Sequence, residues 1–420
     1  MTSRELRLWG REYGPFAAAL SKQAAALSDG HGRLQLELHL VEISELEHRL
    51  LDGDLGLSGE ADVLLVNTDW IPGCLERGLL LALDEHLSVS PPSGWPDAWV
   101  PALRELQQDQ EGHVYGLPYH DGPMMLIYRR DLFEDAEQVQ LFYDRFGRRL
   151  EPAKTWDDFL DQARFFTEPK SGLWGTVFAG FPDAHNNVYD FLVQLWGRGA
   201  DVVDSSGKVQ LGSPAAIDAA DWLADIWHRQ EVIDPRAAGW DSVASGVHFA
   251  AGEAAQMVNW CGFASLAAEP GSPTHGLLAC SPAPGVPGAT PVTMNSYWVL
   301  AIPVGSRDPE LSWKFLCHTA SQEMDRVTAL EGATAVRRDT WSDPDIQELA
   351  PYYGALEDAH RGSRSVWRNP RWPQVAKELN EAMADLVVRH REPRACVLEA
   401  RERVQAVLED KGPGDRGRGY

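Results

Sequence analysis

Aromatic residues stand beside carboxylate, amide and guanidinium groups at several points where the chain changes direction. Asp69 adjoins Trp70, Asn259 adjoins Trp260, Asp121 follows Tyr119 and His120, and Arg368 and Arg371 lie between Trp367 and Trp372. Trp9 with Tyr13, Asn67 just ahead of Asp69, and Tyr297 with Trp298 extend the pattern. An indole or phenol ring offers a flat apolar surface to the C–H bonds of a sugar, and the neighbouring polar groups can meet its hydroxyls. The candidate ligand-binding set is therefore Trp9, Tyr13, Asn67, Asp69, Trp70, Tyr119, His120, Asp121, Trp260, Tyr297, Trp298, Trp367, Arg368 and Trp372. Six other tryptophans read differently. Trp156, Trp222, Trp227 and Trp313 occupy apolar positions of predicted helices, and Trp174 and Trp196 also read as core.

Conversion of a ligand has less support than its capture. The sequence contains no GxxxxGKS/T loop, no HExxH, no GxSxG, no EF-hand loop and no GxGxxG following a strand. Asp69 and Asp121 have the chemistry of a glycosidase carboxylate pair, but an acidic chain offers many such pairs, and both read as hydrogen-bond acceptors. No catalytic residue is assigned. The five cysteines, Cys74, Cys261, Cys280, Cys317 and Cys396, are scattered without a CxxC pair and read mostly as small buried apolar residues. The histidines lack metal-ligand spacing, so neither a metal nor another cofactor is expected.

Arg361, Arg364, Arg368 and Arg371 form a run free of acidic residues. They read either as a solvated or transporter-facing patch or as bidentate partners for an acidic sugar. The run stands out because the formal net charge is −24. Such a field opposes nucleic-acid binding, which relies on clustered cations. Apolar residues make up 44% of the sequence, enough to bury real cores, and no run reaches the length of a membrane span. No basic segment followed by an apolar one opens the chain, which leaves its location open between the cell exterior and the cytoplasm.

The elements that must hold these residues follow from periodicity. Residues 6–9, 33–41 and 61–66 read as strands, the last a continuous apolar run typical of a buried parallel strand. A helix carrying Phe16, Leu20 and Leu27 separates the first two. The alternation implies an α/β layer with ligand loops beyond the carboxyl ends of its strands, where Trp9 to Tyr13 and Asn67 to Trp70 lie. Thr155 to Asp158 reads as a capping box and Ser213 with Pro214 as a helix start. The Gly- and Pro-rich stretch 271–291 reads as an exposed connection. A return strand at 297–302, a helix at 309–318 and two amphipathic helices at 373–390 and 392–409 complete the chain, with a disordered tail at 411–420. At 420 residues two domains are the default expectation.

An ordered series of segments resembles the family 1 extracellular solute-binding proteins, the sugar-binding components of ABC importers related to maltose-binding protein. It comprises ADVLLVNTDW (61–70) with GLLLALD (78–84), VYGLPY (114–119) with Ile127, Tyr128 and DLF (131–133), and TWDDF (155–159). GEAAQMVNW (252–260) and WVLAIP (298–303), leading into WKFL (313–316), complete it. The resemblance implies a two-lobed periplasmic-binding-protein-like α/β fold of type II, with an interlobe cleft and hinge strands at 114–119, 290–295 and 327–332. The expected first lobe is 1–114 plus 291–328 and the second 115–290 plus 329–410. It further implies a monomer that captures a mono- or oligosaccharide by hinge closure, outside the cytoplasm, and presents it to membrane permease subunits. The stretch 138–150 departs from the family pattern as an insertion. A signal-less sugar sensor of the same fold and a carbohydrate-active enzyme are the alternative function classes.

Overall fold

The computed structural model describes residues 5–29 and 32–410, so the tail expected at 411–420 lies outside the described residues. The chain divides into two compact units. The first comprises 1–123, 295–360 and 368–370, and the second 124–294, 361–367 and 371–420.

The sheet of the first unit runs in the order Gln35–Val41, Glu5–Arg11, Val63–Asn67, Trp298–Ala301, Leu117–His120. The first three are mutually parallel, as expected for strands joined by helical crossovers. Val63–Asn67 is buried at every position, which explains its continuous apolar run. Trp298–Ala301 runs antiparallel to both neighbours, and its register sets Trp298 opposite Asn67 on one side and His120 on the other. Because the return strand starts where its neighbours end, these three residues share one sheet edge. Helix Gly14–Ala26 starts at the same edge, with a proline in its first turn and Phe16, Ala19 and Leu20 buried.

The second unit is built on a four-stranded sheet in the order Leu278–Pro282, Met124–Arg129, Ala254–Trp260, Trp174–Val177. Trp174–Val177 and Ala254–Trp260 are parallel. Helix Trp156–Phe166 opens with the expected capping box, in which Thr155 and Asp158 satisfy each other's backbone N–H. It lies so close to the sheet that a Cβ on Gly175 would stand 1.8 Å from the Ala163 carbonyl oxygen, so only glycine fits there. Ser213 caps helix Pro214–Ala224 as its sequence predicts. Helices Trp372–Val387 and Pro393–Glu409 close the unit, the second burying Cys396, Ala400 and Val404.

Three readings of the sequence differ from this architecture. Residues 114–119 do not cross between units: Leu117–His120 is hydrogen-bonded into the sheet of the first unit, and the chain passes to the second unit only after Pro123. Residues 327–332 do not cross either, because helix Gln322–Leu330 packs on helix Gly14–Ala26, and the unit boundary falls after His360. The boundary after Met294 lies within the expected 290–295. Inside the Gly- and Pro-rich stretch 271–291, Leu278–Pro282 pairs antiparallel with Met124–Arg129 as an edge strand, a position that tolerates proline. The insertion-like stretch 138–150 overlaps helix Ala136–Phe146, which buries Phe142 against Phe165.

Candidate functional site

At the shared sheet edge of the first unit, rings meet edge to face. Trp298 meets Trp70 at 5.5 Å between ring centroids and 86° between planes, and meets Phe16 at 6.1 Å. Phe16 meets His120 at 4.9 Å, and Tyr13 stands over both Phe16 and His120 at 5.0 and 6.2 Å. Such geometry lets the positive ring edge face the neighbouring π cloud. Phe16, Trp70 and Trp298 are buried, whereas Tyr13 and His120 are partly exposed. Polar groups border the rings. Asn67 Oδ1 accepts from the backbone N–H of Asp69 (2.9 Å) and the hydroxyl of Ser296 (3.1 Å), fixing the short turn Thr68–Trp70 that carries Asp69 and Trp70. Tyr13, Asn67, Asp69, Trp70, His120 and Trp298 thus gather at one place.

His120 is held neutral there. The backbone N–H of Thr334 donates to its Nδ1 at 2.8 Å, which leaves the ring proton on Nε2. Burial, and second the positive Arg11, bring its pKa down to about 3. The edge therefore offers a permanent imidazole N–H donor and aromatic rings beside the carboxyl of Asp69. Phe16 and Arg11 belong to this group although the sequence reading left them out. Phe16 was absorbed into the core face of its helix, and Arg11 sits at a strand end without an aromatic neighbour in sequence.

Other candidates are committed elsewhere. The Tyr119 hydroxyl donates to Gln23 Oε1 at 3.1 Å and the Tyr297 hydroxyl bonds Gln107 Oε1 and accepts from Leu106 N–H, so both phenols serve the core. Burial raises the pKa of each far above the usual tyrosine range. Asp121 is fully buried, accepting from Gly122 N–H and lying 2.8 Å from His360 Nε2, with the Trp341 ring stacked on that imidazole. It is a framework carboxylate, not an open one. Trp9 is covered by His39, stacked at 4.6 Å, and by the Arg49 guanidinium, also at 4.6 Å. Trp372 is buried at the start of its helix, and Trp367 is partly exposed in the second unit.

The arginine run is likewise engaged. Arg364 pairs with Asp201 at 2.7 Å and lies over the Trp196 ring. Arg368 donates to the carbonyls of Leu106 and Gln108, and Arg371 to those of Val407 and Leu408 at a helix end. These contacts use the guanidinium forks that an acidic sugar would need. Asp109, Glu111 and His113 bring three ligating atoms within 4.8 Å of one another. Asp109 is already engaged by His113 and Tyr115, which accounts for the cluster without an ion.

In the second unit, Trp260 ends its strand partly exposed. Its indole N–H donates to Asn186 Oδ1 at 3.0 Å, and Tyr189 meets its ring at 5.6 Å and 88°. Both partners belong to helix Asn186–Gly197, which follows the carboxyl end of strand Trp174–Val177. Sequence reasoning missed them because that helix is apolar on most of its surface and reads as core. The signal lay in Asn186, Asp190 and Gln194, polar residues recurring at a four-residue interval in an otherwise apolar segment.

Comparison with known proteins places this geometry in context. The family model described as bacterial extracellular solute-binding protein matches residues 41–323. A probable ABC transporter-binding protein of Deinococcus radiodurans is 25% identical over 308 residues, 72% of this chain and 68% of that protein. An arabinooligosaccharide-binding protein of Halalkalibacterium halodurans is 22% identical over 376 residues, 84% and 78% of the two chains. Among solved structures, an ABC transporter solute-binding protein of Agrobacterium radiobacter in complex with ribitol matches with a TM-score of 0.83, at 20% identity and over 96% of this chain and 98% of the other. Maltose-bound MalE3 of T. maritima matches with the same TM-score of 0.83, at 21% identity and over 96% and 99%. These likenesses show the expected fold class, α/β in two lobes.

Proposed function

The chain belongs to the family of bacterial extracellular solute-binding proteins, and from that premise we propose that it captures an uncharged saccharide or polyol and delivers it to an ABC permease. The observation that carries the ligand class is the sheet edge of the first unit, where Tyr13, Phe16, His120, Trp298 and Trp70 meet beside Asn67 and Asp69. Rings suit the C–H faces of a sugar, and a neutral imidazole donor beside carboxylate and amide acceptors suits its hydroxyls. Relatives described as binding arabino-oligosaccharides, maltose and ribitol support the same class.

The arginine contacts favour an uncharged ligand over an acidic one. The family consists of binding proteins, and with Asp121 enclosed a two-carboxylate hydrolytic pair with Asp69 loses its second member. We therefore assign binding without turnover, carried out by a monomer outside the cytoplasm. Among the described residues no helix is long and apolar enough to cross a membrane.

The test is a thermal-shift and tryptophan-emission titration with an arabino-oligosaccharide, maltose, ribitol and mannitol. A ligand that binds only the folded state raises stability as RT ln(1 + [L]/Kd), about 2.7 kcal/mol at a hundredfold excess over Kd. At least one of the four is expected to raise the melting temperature and change the emission. No response to any of them at millimolar concentration would overturn the proposal.

A further inference from the structure

Helix Asn186–Gly197 is buried along its whole length, yet it carries polar residues on one face. Asn186, Asp190 and Gln194 are spaced by four residues and so lie one above the other. The first and last are satisfied. Asn186 Oδ1 accepts the Trp260 indole N–H, and its Nδ2 donates to Asp183 Oδ2 at 2.7 Å. Gln194 Oε1 accepts from Arg198 at 2.7 Å. Asp190 stands between them, 8% exposed, and among the described residues no hydrogen bond or ion pair reaches its carboxyl. Beside Asn186, Asn187 is 3% exposed and finds no partner for either amide atom.

A buried carboxyl without donors is unfavourable, because nothing replaces the water it gave up. Burial, and second the negative Asp183 nearby, push its pKa well above the ordinary carboxylate range. Among the described residues no ion pair reaches it: Arg198, at the far end of the helix, is spent on Gln194. What the same helix does offer, one turn before Asp190, is Asn186 holding the partly exposed indole of Trp260, which Tyr189 braces edge-on. A carboxyl without donors on the helix that holds an exposed aromatic ring has the chemistry of a polyhydroxyl subsite.

We propose that Asp190 is the polar anchor of a saccharide subsite in the second unit, accepting hydroxyl hydrogens from a sugar or polyol whose C–H face lies on Trp260, with Asn187 supplying a further donor and acceptor. This rests on the carbohydrate reading above and names residues for it that the aromatic pattern of the sequence does not reveal.

The test separates a ligand-binding role from a structural one. Asp190→Asn keeps the shape and replaces the carboxyl with an amide, and Asp190→Ser removes the reach as well. Each is compared with wild type for unliganded melting temperature and for affinity toward the same four saccharides and polyols. The subsite predicts affinity lower by roughly tenfold or more, the worth of two or so hydrogen bonds to the carboxyl, with an unliganded melting temperature equal to or above wild type. If wild type binds and both variants bind within twofold of it, the Asp190 assignment is overturned while the carbohydrate reading stands. If the variants melt well below wild type or fail to fold, Asp190 is structural and the assignment is overturned. If wild type binds none of the four, the carbohydrate reading falls and this subsite with it.

Discussion

The two aromatic sites are held in opposite ways. At the sheet edge of the first unit, Trp70, Trp298 and Phe16 are buried, with Trp298 at the start of its strand packed edge-on against the other two, and the neighbouring Asn67 and His120 have defined backbone or side-chain partners. In the second unit, Trp260 is partly exposed, and on the helix that holds it Asp190 and Asn187 are buried with no side-chain partner among the described residues. The first arrangement is rigid before any ligand arrives. The second carries polar groups whose partners must come from outside. Shape at the first site and hydrogen-bond demand at the second are therefore separable contributions, and substitutions should divide accordingly: a large loss of stability together with binding in the first unit, loss chiefly of binding in the second.

The largest effect expected is from Trp298→Ala. It removes a buried indole that braces both Trp70 and Phe16, and denaturant unfolding should show about 3–5 kcal/mol of lost stability, with the tryptophan response to ligand abolished. Retained stability would mean that the edge is not the rigid framework described here. Acid should act next. His120 is neutral in the native state down to about pH 3, whereas the unfolded chain takes up a proton below about 6.5. Its contribution is thus fully present above pH 6.5 and is lost as the pH falls from there towards 3, at about 1.4 kcal/mol per pH unit. Comparing unfolding free energies of wild type and His120→Gln between pH 7 and 4.5 checks this, and parallel curves would contradict it.

Trp260→Ala should invert the pattern seen for Trp298. Loss of one indole hydrogen bond and a partly exposed ring costs about 1–2 kcal/mol of stability, while calorimetric affinity falls on the order of tenfold or more. A stability loss as large as that of Trp298→Ala would erase the distinction between the two sites. The smallest effect belongs to Arg368→Lys. Arg368 is exposed and spent on loop carbonyls, so affinity for an uncharged sugar should stay within about twofold.

Much of this was legible in the sequence because buried parallel strands announce themselves. The apolar run ending at Asn67 fixed where the ligand loop begins, and Trp298 at the head of the return strand fell at the same edge once the strand direction was known. Adjacency in sequence did not reveal which polar group of a pair stays available. Asp121 follows His120, yet it turns to His360, a residue far along the chain. Tyr119 and Tyr297 look like ligand rings for the same reason and instead fasten Gln23, Leu106 and Gln107. The unit boundaries were misplaced because strand Leu117–His120 and helix Gln322–Leu330 carry no local mark of the unit they join; only their long-range pairing decides it. Asp190 was hidden by its surroundings, since a segment this apolar reads as core even where a narrow polar row recurs every four residues along it.

Capture of an uncharged polyhydroxyl ligand by aromatic rings and buried polar groups can be read from heats of binding. Wild type is titrated with arabino-oligosaccharide, maltose, ribitol and mannitol and, in parallel, with a glycuronate of matched size. Saturable binding of at least one uncharged ligand is expected, with weaker or no binding of the glycuronate. Tight binding of the glycuronate with no binding of any uncharged ligand would contradict it.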